Sequence, residues 1–592
     1  MRRFIAASTF AGALVTSISA QVTQRINVTW HGAPTQDGAS NVAPSISADG
    51  RYVAFRSDDP DLVPGVANNH AHVYVRDRWL GTTERVSVDS AGAQGDNESD
   101  FPAISADGRT VAFTSNATNL VPGDSNGYQD VFVHDRRTGR TGRVSVAHDG
   151  TQGDGPSAEP DTPPALSADG RFVAFVSRAE NLVPGDSNGF ADVFVRDRTL
   201  GTIDRVSLDS NGAQGNAHSG THRTLSISAD GRFVAFESEA TNLVPGDTNG
   251  RWDVFVRDWQ FGTTERVSVG NGAEPGAAQG NQHSFSSSMS ADGRFVAFCT
   301  ESSNLVPEDS DAQADVLVRD RWNATTELVS LDLPGSGFLD SFRPAISADG
   351  RWVAFEHSDE IYLRDRGTAT TELVTVPLGG KSPIHDSHRP AVSADARFVT
   401  YDSWLSNLVP DDTVFSLDVF LRDRAHESST SLCAPGAASV VDCPCGNPPS
   451  GPTRGCDNSA ATGGASLSIF GGQFVSSDSL VLATRHAMPN ATSIVLQGTA
   501  PIESGVAFGQ GVLCVGGATT RLYTKAAVAG STEVPDFAAG EPTVHARSAQ
   551  LGDPISPGTT RWYAVVYRDP IPLGGCRSTF NTTPTREVVW LP

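Results

Sequence analysis

One phrase recurs through most of this chain. S-A-D-G-R-x-V-A-F starts at Ser47, Ser105, Ser167, Ser228, Ser290 and Ser347, and a degraded copy, SADARFVTY, starts at Ser393. Successive starts lie 58, 62, 61, 62, 57 and 46 residues apart. A second phrase of the D-V-F-V-R-D type follows each copy, as at Asp130, Asp192, Asp253 and Asp315. A third, such as Thr83–Asp89 (TERVSVD), follows in the first five units. A fixed period of this kind means one supersecondary unit repeated, each unit burying its apolar faces against its neighbours.

The phrases read as four strands per unit. A short apolar strand precedes the turn, and Asp-Gly in Ala106-Asp107-Gly108-Arg109 supplies the positive φ that a hairpin turn needs. Phe172-Val173-Ala174-Phe175 is apolar on both alternating faces, so it is covered on both sides. Arg85-Val86-Ser87-Val88-Asp89 is apolar on one face, as an outer strand is. That gradient, seven times over, predicts a seven-bladed β-propeller. A propeller must close its ring. Thr23–Val28 resembles the fourth strand of the other units, so it is expected to complete the last blade, with segment 427–432 as the competitor.

The two phrases together resemble the WD40-like propeller repeats of the TolB family, over about 44–424. The resemblance implies an exported protein that binds partners on its propeller, with no catalytic residue in the repeat. TolB-type proteins are six-bladed with a separate N-terminal α/β domain; this chain has seven copies of the repeat and shows no such domain.

GDSNG occurs at 123–127 and 185–189 and becomes GDTNG at 246–250. As G-x-S-x-G it would be a nucleophile elbow, but that turn needs a strand before it and a helix after it. Here it precedes a β phrase, recurs, and accepts threonine, so the serine-hydrolase reading is rejected. Asp and Asn at i, i+2 and i+6 suit calcium better, since alternate residues of a tight loop can point oxygens inward. The candidate metal ligands are Asp124, Asn126 and Asp130; Asp186, Asn188 and Asp192; Asp247, Asn249 and Asp253; and Asp309, Asp311 and Asp315. The competing reading is a plain turn, with Asp and Asn bonding their own backbone. Val66, Asn68 and His72 fill these positions in unit 1, and unit 6 lacks the loop. His70-Ala-His72 reads as loop surface.

MRRFIAASTFAGALVTSISA has the form of a signal peptide over 1–20. No apolar run reaches the roughly 18–20 residues of a spanning helix. Net charge is −24, with only two lysines, Lys381 and Lys525. Such a surface has no basic patch for phosphates, which excludes nucleic acid as a partner. Cys433, Cys443, Cys445, Cys456, Cys514 and Cys576 all lie after residue 432 and suggest up to three disulfides, with zinc as the competing reading for C-P-C. Segment 433–458 reads as a Cys/Gly/Pro-rich linker and 459–592 as a β-sandwich. Its Cys-containing phrases resemble a C-terminal module of exported bacterial proteins. Trp562 and Tyr567 are candidates to line a sugar site, against a reading as core aromatics.

The expectation is a propeller over 21–432 with a disulfide-stapled β-sandwich behind it, destined for the periplasm, cell surface or surroundings. The long loops between strands two and three share one rim with those between blades. A protein or glycan is expected on that face, non-enzymatically, with calcium as the candidate cofactor. The alternative is a carbohydrate-active enzyme, a polysaccharide lyase or glycosidase. No unit carries an obvious His/Arg/carboxylate set of its own, which is the reason for ranking the enzyme second.

Overall fold

A computed structural model of the chain describes residues 22–29, 41–65, 68, 70–158, 162–221, 224–272, 278–309, 313–331, 340–377, 386–409 and 416–424 of the repeat region. Beyond it, residues 442–445, 447–449, 455–462, 464–470, 480–508, 510–528, 530–536, 541–556, 559–569, 579–583 and 585–590 are described. The leader, segment 427–432, Asp311, Cys433 and Cys576 lie outside the described residues.

Seven four-stranded antiparallel sheets form the blades of a β-propeller. Blade 1 runs Asn41–Ile46, Tyr52–Ser57, His72–Asp77 and Thr82–Arg85 from the channel outward, and the next five follow the same order. Blade 7 takes Ser387–Val392, Phe398–Ser403 and Asp418–Asp423, and its outer strand is Val22–Arg25, with Val22 opposite Asp423 and Gln24 opposite Leu421. Closure by the first strand puts a non-local pairing where a linear repeat would leave two raw edges.

The core is seven wedges, one between each pair of blades. Between blades 1 and 2 it gathers Val73, Val75, Val86, Ile104, Val111, Phe113 and Leu120. Between blades 7 and 1 Ile26, Val53 and Phe55 meet Phe398, Val419 and Leu421. This is why the second and third strands are apolar on both faces.

The SADG turns close the ring a second time. Ala48 donates its N–H to the Ala106 carbonyl at 3.0 Å, Ala106 to Ala168, Ala168 to Ala229, Ala229 to Ala291, Ala291 to Ala348, Ala348 to Ala394, and Ala394 back to Ala48. Each Ser hydroxyl of the phrase holds its own Asp, as Ser105 holds Asp107 at 2.6 Å. The glycine is needed for two reasons at once. Gly293 has φ +72°, and a Cβ there would lie 2.5 Å from the Phe233 ring of the preceding blade. The phrase's arginine pairs with the Asp that ends the third strand, as Arg109 with Asp135, and that bond holds the Asp135 carboxyl at about 2 against the effect of burial. The following arginine lies over a neighbouring blade's ring, as Arg136 over Tyr52 at 4.2 Å.

The C-terminal part holds a three-stranded sheet (Ser466–Phe470, Val481–Arg485, Thr532–Val534). Its larger sheet is five-stranded, built on a long hairpin of Thr492–Phe508 and Gly511–Ala526 with Thr560–Arg568, Phe580–Thr582 and Arg586–Val589. A short helix, Val544–Gln550, was not foreseen. Cys443 and Cys456 form a disulfide, and Cys445 and Cys514 are disulfide-bonded too. Trp562 and Tyr567 sit five residues apart on one strand and so face opposite ways; Tyr567 is fully buried. They do not line one site.

Candidate functional site

The GDxNG loops are bound up with their neighbours. Asn126 accepts from the Tyr128 N–H and donates to the Gly153 carbonyl on the next inter-blade loop. Asn188 and Asn249 do the same toward Gly215 and Gly280. Asp130, Asp192, Asp253 and Asp315 start the third strands and each accepts a serine hydroxyl, from Ser145, Ser207, Ser268 and Ser330. Between the two carboxylates of a loop lies a guanidinium. Arg143 reaches Asp124 at 2.9 Å and Asp130 at 2.8 Å, Arg205 reaches Asp186 and Asp192, and Arg266 reaches Asp247 and Asp253. The cation at these three positions is the protein's own, from the fourth strand. In blade 5 Leu328 stands in that register, opposite Leu317. No group of three or more His, Cys, Asp and Glu side chains placed to hold a metal is found among the described residues.

His72 is not loop surface. It begins the third strand of blade 1 in the place of Asp130, with Nδ1 3.1 Å from the Ser87 hydroxyl and Nε2 2.8 Å from Asn68 Oδ1. Burial pushes it down to about 4, so it serves as a neutral hydrogen-bonding ring.

The inner strands depart from the repeat most. In five of them a bulge places a non-glycine residue in the left-handed region: Ala43, Phe101, Ser286, Arg343 and Arg389, with φ between 48° and 54°. Such residues cost energy and gather where a scaffold holds them for a purpose. They lie at the start of the inner strand, on the long-loop side of the channel.

Two of the five are arginines on adjacent blades, and they anchor a network. Arg343 Nη1 lies 3.0 Å from Glu356 Oε1. Glu356 Oε1 also accepts the bulged Arg389 N–H at 2.6 Å, and Oε2 lies 3.4 Å from His388 Nδ1. His388 Nε2 is 2.7 Å from Asp386. Arg389 Nη1 reaches Asp402 at 3.2 Å, and Asp402 takes the bulged Ala43 N–H at 3.1 Å. The network thus runs over blades 6, 7 and 1. Glu356 and Asp402 are buried beneath it, while Arg343, His388 and Arg389 keep 20%, 28% and 30% of their side chains exposed. Burial works to raise Glu356, but His388, Arg343 and the Arg389 N–H outweigh it and hold it below the usual range. Burial pushes Asp402 up despite Arg389. The Glu356 bond raises His388 to about 9, so it is an imidazolium at neutral pH.

Among the described residues the rim is lowest at blade 6. Fourteen residues join the second strand to the third in blade 2, from Ser115 to Asp130, and the same length recurs in the other long-loop blades. In blade 6 the tight turn Ser358-Asp359, both residues at positive φ, joins His357 directly to Glu360. Blade 6 therefore raises no long loop of its own beside Glu356 and His388, and among the described residues this leaves a notch in the rim. No single unit was expected to carry a His/Arg/carboxylate set; blades 6 and 7 together have one. It was missed because the set is split between two units and meets only when the ring closes. The absent loop of unit 6 was the legible signal.

No family model matches the chain, and no curated protein does. Solved structures do match. Oligogalacturonate lyase from Vibrio parahaemolyticus is 12% identical with a TM-score of 0.42, over 68% of this chain and 96% of its own. TolB from Acinetobacter baumannii is 14% identical with a TM-score of 0.32, over 60% and 66%. Dipeptidyl peptidase 4 from Porphyromonas gingivalis is 13% identical with a TM-score of 0.36, over 61% and 49%.

The chain is a β-propeller with TolB and WD40 propellers among its structural neighbours. At these identities the likeness is one of fold. The expectation of a non-enzyme does not stand: a lyase and peptidases share this architecture, so the fold gives no ground for excluding catalysis. No described helix is long and apolar enough to cross a membrane.

Proposed function

We propose that this propeller is an exported scaffold that binds a protein segment or a glycan at the notch of its long-loop face, over blades 6, 7 and 1. One observation carries the reading. The single shortened loop of the rim lies beside the network of Arg343, Glu356, His388, Arg389 and Asp402; at the same register of blades 1 and 2 the described residues hold one ion pair, Arg56 with Asp100. Loops on a rigid scaffold, and polar groups held by strained backbone, are where binding sites gather.

A glycan and peptide array probed with the full chain and with Arg389→Ala tests it. Expected are hits that the variant loses while its circular dichroism shows it still folded, with a lower melting temperature because Asp402 loses its partner. Hits that survive Arg389→Ala and vanish with Leu200→Asp, on the opposite face, would count against it.

A second reading, a carbohydrate-active enzyme at the same place, is favoured by the opposite shifts of Glu356 and Asp402 in one network. Carboxyls pushed apart in this way can divide the roles of base and acid. Loss of glycan turnover in Glu356→Gln with binding retained would support it.

A further inference from the structure

We infer that the ligand of this notch is an acidic glycan, held through its sugar carboxylates by Arg343 and Arg389. The inference rests on the notch being the binding site. The two guanidiniums stand on neighbouring inner strands, Ser341–Ile346 and Ser387–Val392. Each is backed by a buried carboxylate, Arg343 by Glu356 and Arg389 by Asp402, and keeps part of its side chain exposed, an arrangement that fixes a cation in place where an anion can reach it. Among the described residues Arg343 bonds only Glu356, and only through Nη1. A guanidinium carries five donors in a planar fork that matches a carboxylate. The edge left by Nε and Nη2 can take one.

The charge of the whole chain, −24, opposes an anion at long range. Beyond about 8–10 Å that repulsion is screened. The selection is therefore made by close contacts at the notch, and it favours a ligand with regularly spaced single charges over a dense polyanion.

An acidic protein segment fits less well. Extended peptides add to sheets along a free strand edge. The edges facing this channel are interrupted by the bulges and by Pro44, Pro102, Pro344 and Pro390, which have no N–H to give. What the ring offers instead is side chains. Going round from Arg343 and Arg389, the small Ala43 comes next and the partly exposed Phe101 after it. Cations at one side of a gap and an aromatic ring at the other suit a sugar chain, whose carboxyls and apolar faces alternate.

Calorimetric titration of the full chain with an oligouronate, its methyl ester and an oligoglutamate tests the assignment. Hydrogen exchange is followed over 341–346 and 386–392. The oligouronate is expected to bind and to protect both strands. Esterification and Arg343→Gln should each weaken it about tenfold or more, as loss of a charged hydrogen bond does. Arg343→Lys, which keeps the charge without the fork, should lie between. Equal binding of the ester, an unweakened Arg343→Gln variant, or no binding of the oligouronate overturns the inference. So does oligoglutamate binding as tightly, which gives the notch to a protein segment. A neutral or esterified probe that still protects these strands removes only the acidic ligand. Protection elsewhere removes the notch as well.

Discussion

The Ala394 N–H donates to the Ala48 carbonyl at 3.0 Å, joining the seventh SADG-type turn to the first. It completes a ring of seven such bonds, and it lies across the same seam as Val22–Arg25 on Asp418–Asp423. The seam is therefore closed near the channel and at the outer edge, with Ile26 buried between. Ile26→Ala should destabilise the protein by about 2–5 kcal/mol, the range for a buried aliphatic truncated in a packed core. Removing residues 1–29 should leave Asp418–Asp423 as a raw edge and bring concentration-dependent association. Urea unfolding checks the first; light scattering after gel filtration checks the second.

Glycine in the SADG turn answers two constraints, so alanine should fail there. Gly293→Ala must adopt φ +72° and push on Phe233, with an expected loss of about 1–3 kcal/mol. Ala396, at φ 52° in the degraded copy, shows that the backbone strain alone is tolerated once. The double variant Gly293→Ala, Phe233→Leu should recover part of the loss if the ring causes it.

Arg143 is the cation of its loop. Arg143→Leu copies the blade 5 arrangement and leaves Asp124 and Asp130 facing each other in a buried place, a change expected to cost about 3–5 kcal/mol. Calcium should restore part of that in the variant, since it supplies the lost charge, and should shift the wild-type melting curve little. Melting curves with calcium, with magnesium and with EDTA measure both. A large calcium-specific rise in the wild type would mean that the guanidiniums leave room for the ion.

Asp247 gives a pH signature. Burial first, then the Asp253 charge, raises it to about 6 against the pull of Arg266. The folded chain holds this proton where the unfolded chain, near 3.8, has lost it. Stability from this group is therefore complete below pH 3.8 and lost as pH rises to about 6. Asp247→Asn should remove that fall, a difference of order 1–3 kcal/mol read from denaturant midpoints at pH 4 and pH 7.

His388 runs over a higher window. It is stabilised as an imidazolium by Glu356, Asp386 and the Asp402 charge, in the presence of Arg343 and Arg389. Its contribution is complete below about 6.5 and fades as pH rises toward about 9. Glu356→Gln should bring the ring back toward its ordinary value, which histidine NMR titration reads directly. An unmoved titration would place the cause elsewhere.

The blade is legible in the order of the amino acids. Asp-Gly turns, doubly apolar second strands and paired Arg and Asp phrases are local demands of one unit, repeated, so they are legible wherever a copy stands. Even the closing strand, Thr23–Val28, carried its own resemblance to the units it completes. The rest depends on how distant parts of the chain meet in the closed ring. Arg143 lies 13 residues beyond Asp130 in the sequence, and nothing local says that its guanidinium ends between two loop carboxylates rather than in solvent. Glu356 and Arg389 stand 33 residues apart in different repeats, each an ordinary polar residue in its own phrase. Closing seven blades around one axis puts them at hydrogen-bond distance. Burial beneath the rim then turns six ionisable groups from separate phrases into one network, because charges removed from water must find one another.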